Sequence, residues 1–230
     1  MAGGATLRGT VRRLNREHGR LPPFWLTEYS VLVQKKKLIG GDEILLERAK
    51  DFQAGLAAAD LLITAIQEDF GGAYLFNLAQ HGTWGVLGNP ADFRLRPAGL
   101  AFSLLSSLAG QRRLPVEVDG ASTVTLDKGD GTSPAKTSYA TIDAVAAAAN
   151  GVAQLVILNR SHSESARVRV ELEGFAVARA EIDQLGPERL TAGNDETPDA
   201  VAIRRSAAPV AGSALLVPPR TVMRIVYRSR

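Results

Sequence analysis

The sequence has no cysteine, a nearly balanced charge and few aromatic residues. The absence of cysteine among the 230 residues excludes a disulfide framework, a thiolate metal site and a catalytic cysteine. The formal net charge of +3 is too small to indicate a nucleic acid as partner. No uncharged apolar run approaches the roughly 20 residues that span a bilayer, so we expect no membrane partner either.

Sequence motifs for metals and cofactors are missing as well. No glycine-rich phosphate loop follows a strand-like segment, and neither the G-x-G-x-x-G nor the P-loop pattern occurs. His18 and His162 have no partners in the sequence that suggest a metal site. We therefore expect neither a metal nor a cofactor.

The composition is that of an ordinary globular protein, with 45% hydrophobic and 22% charged residues. The length fits one large domain or two modest ones of ~150 residues each. Residues 1–20 lack the apolar stretch of a signal peptide. The compartment stays open, cytoplasmic or secreted, because it depends on whether further residues precede Met1.

The first half of the sequence has an α/β pattern. Residues 24–27 (FWLT) and 73–78 (AYLFNL) are apolar, β-prone runs. Between them, apolar residues over 45–66 recur at alternating steps of four and three, which predicts one long amphipathic helix. A further helix is predicted over 96–109. This order, with apolar rather than alternating strands, predicts a parallel sheet covered by helices.

The second half of the sequence has the period of two that is typical of strands, with no further helix. Short apolar segments alternate with Gly, Asp, Ser and Pro turns, which predicts an antiparallel β-sandwich. The predicted strands are 116–118, 123–126, 138–142, 155–158, 167–173, 178–185, 201–204, 214–217 and 222–227.

Two strand–helix units do not make a closed parallel domain, because they leave sheet faces and edges exposed. They are either a small appendage of the sandwich or the last units of a larger α/β domain. The second interpretation is favoured, since the long helix has a complete apolar stripe that otherwise lacks a partner. The exposed edges and this stripe predict self-association, for example as a homo-oligomer.

Glu28 is the candidate for chemistry. It follows the run 24–27 directly, at the predicted C-terminal end of a parallel strand. In (β/α)8 barrels that end forms the active-site face, so a carboxylate there indicates catalysis or ligand binding; a salt-bridged or capping glutamate is the structural alternative. The second strand is followed by polar and aromatic groups that suit a sugar or an ordinary loop, namely Asn77, Gln80, His81 and Trp84.

Short motifs along most of the chain resemble one family of glycoside hydrolases. Residues 24–32 (FWLTEYSVL) resemble the strand-seven motif of family 51 α-L-arabinofuranosidases, in which a Glu followed by an aromatic residue and then Asn, Ala or Ser is the catalytic nucleophile. The long helix, the Trp in the loop after the second strand and the helix introduced by Arg96-Pro97 are similar too. The second half resembles the closing β-sandwich of these enzymes in the segments 155–161 (LVILNRS), 172–175 (LEGF), 193–198 (GNDETP) and 216–222 (LVPPRTV).

The resemblance implies an α/β plus all-β fold: the end of a (β/α)8 barrel over residues 1–112 and an antiparallel β-sandwich over residues 113–230. It also implies a retaining glycosidase that releases terminal α-L-arabinofuranosyl residues from arabinose-containing oligo- or polysaccharides, with two carboxylates ~5–5.5 Å apart. Glu28 would be the nucleophile. The substrate contacts would be Tyr29, Asn77, Gln80 and Trp84.

The second carboxylate of the pair is missing from this sequence. In the family the acid/base Glu follows an Asn at the end of strand four, upstream of all the matched motifs. Asn15-Arg16-Glu17 is too close to the Glu28 strand, and in too polar a context, to be that motif. We therefore expect a fragment that has the nucleophile, lacks the proton donor and is inactive alone; a lost proton donor costs ~10²–10⁴-fold in rate.

Three alternatives remain open. Related barrel families that act on β-xylosides or uronides have similar C-terminal segments. A non-catalytic carbohydrate-binding or accessory sandwich protein is a second alternative, although both tryptophans lie in the α/β half rather than in the sandwich. A truncated gene product of low stability is the third.

Overall fold

The computed structural model describes residues 3–19, 21–29, 35–37, 43–45, 50–79, 85–88, 93–127, 136–195, 197–209 and 212–229. Within them, the helices are α1 (Gly3–His18), α2 (Phe52–Gln67) and α3 (Pro97–Ser106). The strands are β1 (Trp25–Tyr29), β2 (Lys35–Lys37), β3 (Glu43–Leu45), β4 (Gly72–Leu75), β5 (Arg112–Leu114), β6 (Thr123–Asp127), β7 (Lys136–Ala140), β8 (Ile142–Ala149), β9 (Val152–Asn159), β10 (Ala166–Arg169), β11 (Val177–Leu185), β12 (Ile203–Ala207), β13 (Ala214–Val217) and β14 (Thr221–Ser229). None of these helices is long and apolar enough to cross a membrane.

A six-stranded antiparallel sheet is the centre of the fold, in the order β12-β11-β14-β9-β8-β5. Alternate residues of its central strands point to opposite faces, and both faces are buried. Val156 and Leu158 of β9 face the helices, whereas Leu155 and Ile157 face the antiparallel pair β10–β13. A sheet buried on both sides explains why β8 and β9 are almost continuously apolar.

The helix side of this sheet also holds a second, smaller sheet. Strands β1 and β4 pair in parallel, with Trp25 opposite Gly72 and Leu26 opposite Ala73. Leu26 and Ala73 pack against the core that α2 and α3 form with the six-stranded sheet. The two helices therefore lie between the parallel pair and the antiparallel sheet.

Helix α2 begins where a capping side chain and the carbonyl groups of another loop accept hydrogen bonds from its first N–H groups. The Asp51 side chain accepts a hydrogen bond from the backbone N–H of Gln53 at 2.9 Å, as an N-cap residue does. The N–H of Phe52 donates to Ala192 O at 2.8 Å, and that of Gln53 also donates to Leu190 O at 3.2 Å. The loop after β11 thus satisfies N–H groups that the first turn of a helix leaves free.

A buried group of charged side chains joins α2 to the six-stranded sheet. Nη2 of Arg160 contacts the carboxylate of Asp60 in α2 and lies 2.7 Å from Asp143 Oδ2 in β8. Gln67 Nε2 donates to Asp143 Oδ1 at 2.6 Å, and Arg8 Nη2 donates to its Oδ2 at 3.0 Å. Burial alone would raise the pKa of Asp143, but the charge of Arg160 and the hydrogen bonds from Gln67 and Arg8 lower that pKa overall.

The antiparallel second half that the sequence predicted is confirmed, and so are the parallel pairing of the two strands in the first half and the two helices that follow them. Several boundaries were wrong. The helix predicted over 45–66 begins only at Phe52, because Asp51 caps it there, and Leu45 belongs to β3. Residues 116–118 form no strand; the edge strand β5 lies just before them. Helix α1 was not predicted at all.

Replacing Arg160 by Ala should destabilise the protein by about 3–5 kcal/mol, because two buried carboxylates would lose their shared cation. Urea denaturation followed by circular dichroism measures this loss. Arg205→Ala is the matched control: Arg205 is largely exposed, and its partner Asp183 keeps a second arginine, Arg224. A loss for Arg160→Ala no larger than that of the control would contradict the role given to Arg160.

Candidate functional site

The candidate site lies at the C-terminal ends of β1 and β4. Glu28 is the next-to-last residue of β1, and its side chain is exposed. The register steps by three residues in β1, from Leu26 to Tyr29, but by only two in β4, from Ala73 to Leu75. One extra residue therefore bulges out of β1 at Thr27–Glu28. Such bulges redirect a side chain and are common next to active sites.

Tyr29 lies beside Glu28 in sequence but in a different environment. Its side chain is 7% exposed and belongs to the core between the parallel pair and the helices. Within the described part of the chain its hydroxyl has no hydrogen-bond partner, and burial raises the pKa of this phenol far above its usual range. The structure thus places Tyr29 under the site, while Glu28 faces solvent.

Asn77 lies at the same end of the parallel pair as Glu28. The N–H of Phe76 donates to Tyr29 O at 2.9 Å, which extends the β1–β4 pairing up to the residue before Asn77. The peptide bond between Phe76 and Asn77 is cis, and Asn77 O accepts a hydrogen bond from the N–H of Val86 at 2.9 Å. The structure therefore brings Asn77 and Glu28 to one edge. Gln80 and Trp84, the other predicted substrate contacts, lie outside the described residues.

Aromatic side chains cover the face of the β1–β4 pair that points away from the helices. Trp25 and Tyr74 stack at 6.1 Å between ring centroids, with 12° between their planes. They are 58% and 54% exposed, and Phe76 is also exposed. The indole lies flat over Gly71 and Gly72, where an added Cβ would be 2.7–2.8 Å from ring atoms. The parallel pair thus has one packed face and one open apolar face.

An ion pair between a buried arginine, Arg96, and a partly exposed aspartate, Asp195, holds the segment that follows β4. Arg96, directly before α3, is 2% exposed, and its Nε and Nη2 donate to the two carboxylate oxygens of Asp195 at 2.8 and 2.7 Å. The sequence pattern does not predict this pair, because 99 positions separate its members. A signal was present, however: a cation at a helix N-terminus opposes the helix dipole, so Arg96 required a carboxylate partner.

The described residues offer no cluster of side chains that could bind a metal ion. They contain no group of three or more His, Asp or Glu side chains placed to hold a metal ion. What the site offers is a solvent-facing carboxylate, amide groups and aromatic surface. Carboxylates can act as nucleophiles or as acids and bases, and aromatic faces suit sugar rings.

Gly72→Ala should displace the Trp25 ring at little cost in stability, because the added methyl group would meet an exposed indole. In a Trp84→Phe background Trp25 is the remaining tryptophan, and its near-UV circular dichroism should change. Gly9→Ala in α1, where an added Cβ has nothing within 4 Å, is the control and should leave the spectrum unchanged. An unchanged spectrum for Gly72→Ala would contradict the stacking geometry.

No protein-family model and no curated protein sequence matches the chain, but solved structures do. An α-L-arabinofuranosidase from Thermotoga maritima in complex with arabinose matches 99% of this chain and 49% of its own, with a TM-score of 0.73 and 17% identity. The family 51 α-L-arabinofuranosidase from Thermotoga petrophila matches 96% of this chain and 46% of its own, with a TM-score of 0.71 and 18% identity.

A more distant match is a family 30 xylanase from Clostridium acetobutylicum, which covers 94% of this chain and 45% of its own, with a TM-score of 0.54 and 11% identity. The chain thus spans about half the length of these enzymes. All three are glycoside hydrolases. The chain has the fold of a portion of family 51 α-L-arabinofuranosidases, and the extent of the match fits their C-terminal portion.

Proposed function

We propose that the chain is the C-terminal portion of a retaining α-L-arabinofuranosidase. Residues 1–112 supply the last strand–helix units of a (β/α)8 barrel, and residues 113–230 form the closing β-sandwich. Glu28 is the catalytic nucleophile. The substrate is an oligo- or polysaccharide with terminal α-L-arabinofuranosyl groups, the sugar class named for the enzymes of similar fold.

The observation that carries the proposal is the two-faced character of the β1–β4 pair. One face packs on α2 and α3, and the other presents Trp25, Tyr74 and Phe76 to solvent. An open apolar sheet face of this kind indicates a surface that another part of a protein covers. In a barrel it is the interior face, which side chains of the other strands fill. The exposed Glu28 then lies at the C-terminal rim of the barrel, where barrel enzymes carry their catalytic groups.

The chemistry follows from a carboxylate at this position. The ionised Glu28 attacks the anomeric carbon while the glycosidic C–O bond breaks, and a carboxylic acid on the opposite side protonates the leaving oxygen. The resulting glycosyl ester on Glu28 is hydrolysed by a water molecule that the second carboxylate, now a base, deprotonates. Both steps require the two carboxyl groups ~5–5.5 Å apart.

The second carboxyl group comes from outside these 230 residues in this proposal. The chain corresponds to 46–49% of the two Thermotoga enzymes, and the upstream strands would bring the acid/base residue. Without them the barrel is open and the 230 residues alone do not hydrolyse glycosides. Asn77, Gln80 and Trp84 contact the sugar at the rim. In this proposal Tyr29 does not contact the substrate, since its side chain is packed among apolar residues.

A non-catalytic carbohydrate-binding protein is the second candidate, and one observation favours it. The stacked rings of Trp25 and Tyr74 form an exposed aromatic surface in the 230-residue chain itself, and sugars bind to such surfaces through their apolar faces. Arabinan or xylan oligosaccharides would then bind to the chain without any upstream residues. Isothermal titration that shows such binding, unchanged in Glu28→Gln, would favour this candidate over the enzyme.

The enzyme proposal is tested by expressing the chain with and without the coding sequence upstream of Met1. Both forms are assayed on an aryl α-L-arabinofuranoside and an aryl β-xyloside. We expect turnover of the arabinofuranoside by the extended form only, and a loss of at least about a thousandfold in kcat/KM for its Glu28→Ala variant, because the covalent step loses its nucleophile.

Glu117→Ala is the matched control, since Glu117 is an exposed glutamate in the second half of the chain. Its activity should equal that of the parent form. A mechanism-based fluorinated arabinofuranoside should label Glu28, as peptide mass spectrometry would show. The proposal fails if Glu28→Ala keeps its activity, if the label lies elsewhere, or if no upstream strands are encoded.

A further inference from the structure

We infer that Asp195, in the loop between β11 and β12, is a positioning residue for the candidate site. Through Arg96 it fixes the backbone that leaves the C-terminal end of β4, where Asn77 lies. The consequence of this positioning for catalysis rests on the proposed function.

The first link is the ion pair between Asp195 and Arg96. Both carboxylate oxygens of Asp195 accept hydrogen bonds, from Arg96 Nε at 2.8 Å and from Nη2 at 2.7 Å. The Arg96 side chain is 3% exposed and that of Asp195 is 20% exposed. Paired hydrogen bonds of this kind fix both the distance and the plane of the guanidinium group. Asp195 therefore determines where the Arg96 side chain lies.

The second link runs from Arg96 to the segment after β4. Arg96 Nη1 donates to Gly85 O at 3.3 Å, and the Arg96 backbone N–H donates to Val86 O at 2.7 Å. Side chain and backbone of one residue thus hold two consecutive carbonyl groups. The segment Gly85–Val86 cannot shift without breaking contacts to the arginine that Asp195 fixes.

The third link reaches the site itself. The Val86 N–H donates to Asn77 O at 2.9 Å, and the Leu87 N–H donates to Leu78 O at 3.0 Å. The same short segment therefore connects Arg96 on one side with Asn77 and Leu78 on the other. Asn77 follows the end of β4, next to the end of β1 that carries Glu28.

Two further contacts show that the loop is shaped around this carboxylate. A Cβ added to Gly88 would lie 2.9 Å from Asp195 Oδ1, so the backbone passes directly over the carboxylate. Asn194, the preceding residue, is buried; its Nδ2 donates to Leu95 O at 2.9 Å and to Val201 O at 2.8 Å. The 193–195 segment thus contacts both the residue before Arg96 and the segment after β4.

The consequence is that a residue of the second half of the chain fixes the position of Asn77 in the candidate site. Asp195 contacts Arg96 rather than the site, so it acts by position and not in the reaction itself. Small displacements of substrate-contacting groups cost binding and rate steeply. Asp195→Asn and Asp195→Ala should therefore weaken substrate binding without removing the nucleophile.

The experiment compares Asp195→Ala with the parent chain by amide hydrogen exchange of the 230-residue protein. The Val86 and Leu87 amides should exchange about tenfold faster or more, because the segment that carries these N–H groups loses the arginine that holds its carbonyl groups in place. Amides of β9 report global stability. Asp183→Ala is the matched control, since Asp183 is a carboxylate that likewise pairs with arginines, Arg205 and Arg224.

The second readout is kinetic and uses the form of the protein that hydrolyses an aryl α-L-arabinofuranoside. Asp195→Ala should raise KM about three- to tenfold with a smaller change in kcat, and Asp195→Glu should restore part of the loss. Unchanged Val86 and Leu87 exchange, or equal acceleration in Asp183→Ala, would overturn the inference. If no form of the protein is active, the proposed function fails, and amide exchange still decides the positioning role.

Discussion

The packing of α2 against the six-stranded sheet is the contact on which the rest of the structure depends. One side of the helix packs with Val156 and Leu158 of β9, and the parallel pair lies against the same core. Arg160 fixes the orientation of α2 on the sheet, because its guanidinium group contacts Asp60 of α2 and Asp143 of β8 at the same time. A buried ion pair contributes less to stability than its Coulomb energy suggests, but it strongly disfavours any other register. The helix therefore sits on the sheet in one orientation.

The loop after β11 links the position of α2 to the candidate site through hydrogen bonds. The first turn of α2 takes its acceptors from Leu190 and Ala192, and a few residues later the same loop presents Asp195 to Arg96 at the start of α3. The loop after β11 thus holds the N-termini of both helices that cover the parallel pair. The all-β half is therefore more than an appended module, because its loop contacts the start of each helix that packs against the parallel pair.

The periodicity of the sequence predicted strands and helices. It did not predict the features that depend on contacts between residues far apart in the chain. Parallel strands around Glu28 and Ala73, and the antiparallel second half, follow from apolar runs and turn residues. The alanine-rich segment of β8 has little intrinsic strand preference, and its conformation depends on pairing with β5 and β9. Leu26 and Tyr29 face the same core although they are three positions apart, which depends on a bulge that strict alternation does not predict. The resemblance predicted the likeness to family 51 α-L-arabinofuranosidases that the solved structures show, while the partial barrel and the roles of individual residues are proposals.

The strand–helix units and the six-stranded sheet share one core, so we expect them to fold as one body that carries the candidate site. Urea unfolding, followed both by tryptophan fluorescence and by far-UV circular dichroism, measures whether they unfold together. Trp25 and Trp84 both lie in residues 1–112, whereas most strands lie in residues 113–230. One transition with the same midpoint and slope is expected for both probes. A fluorescence transition complete at lower urea than the loss of strand signal would contradict it.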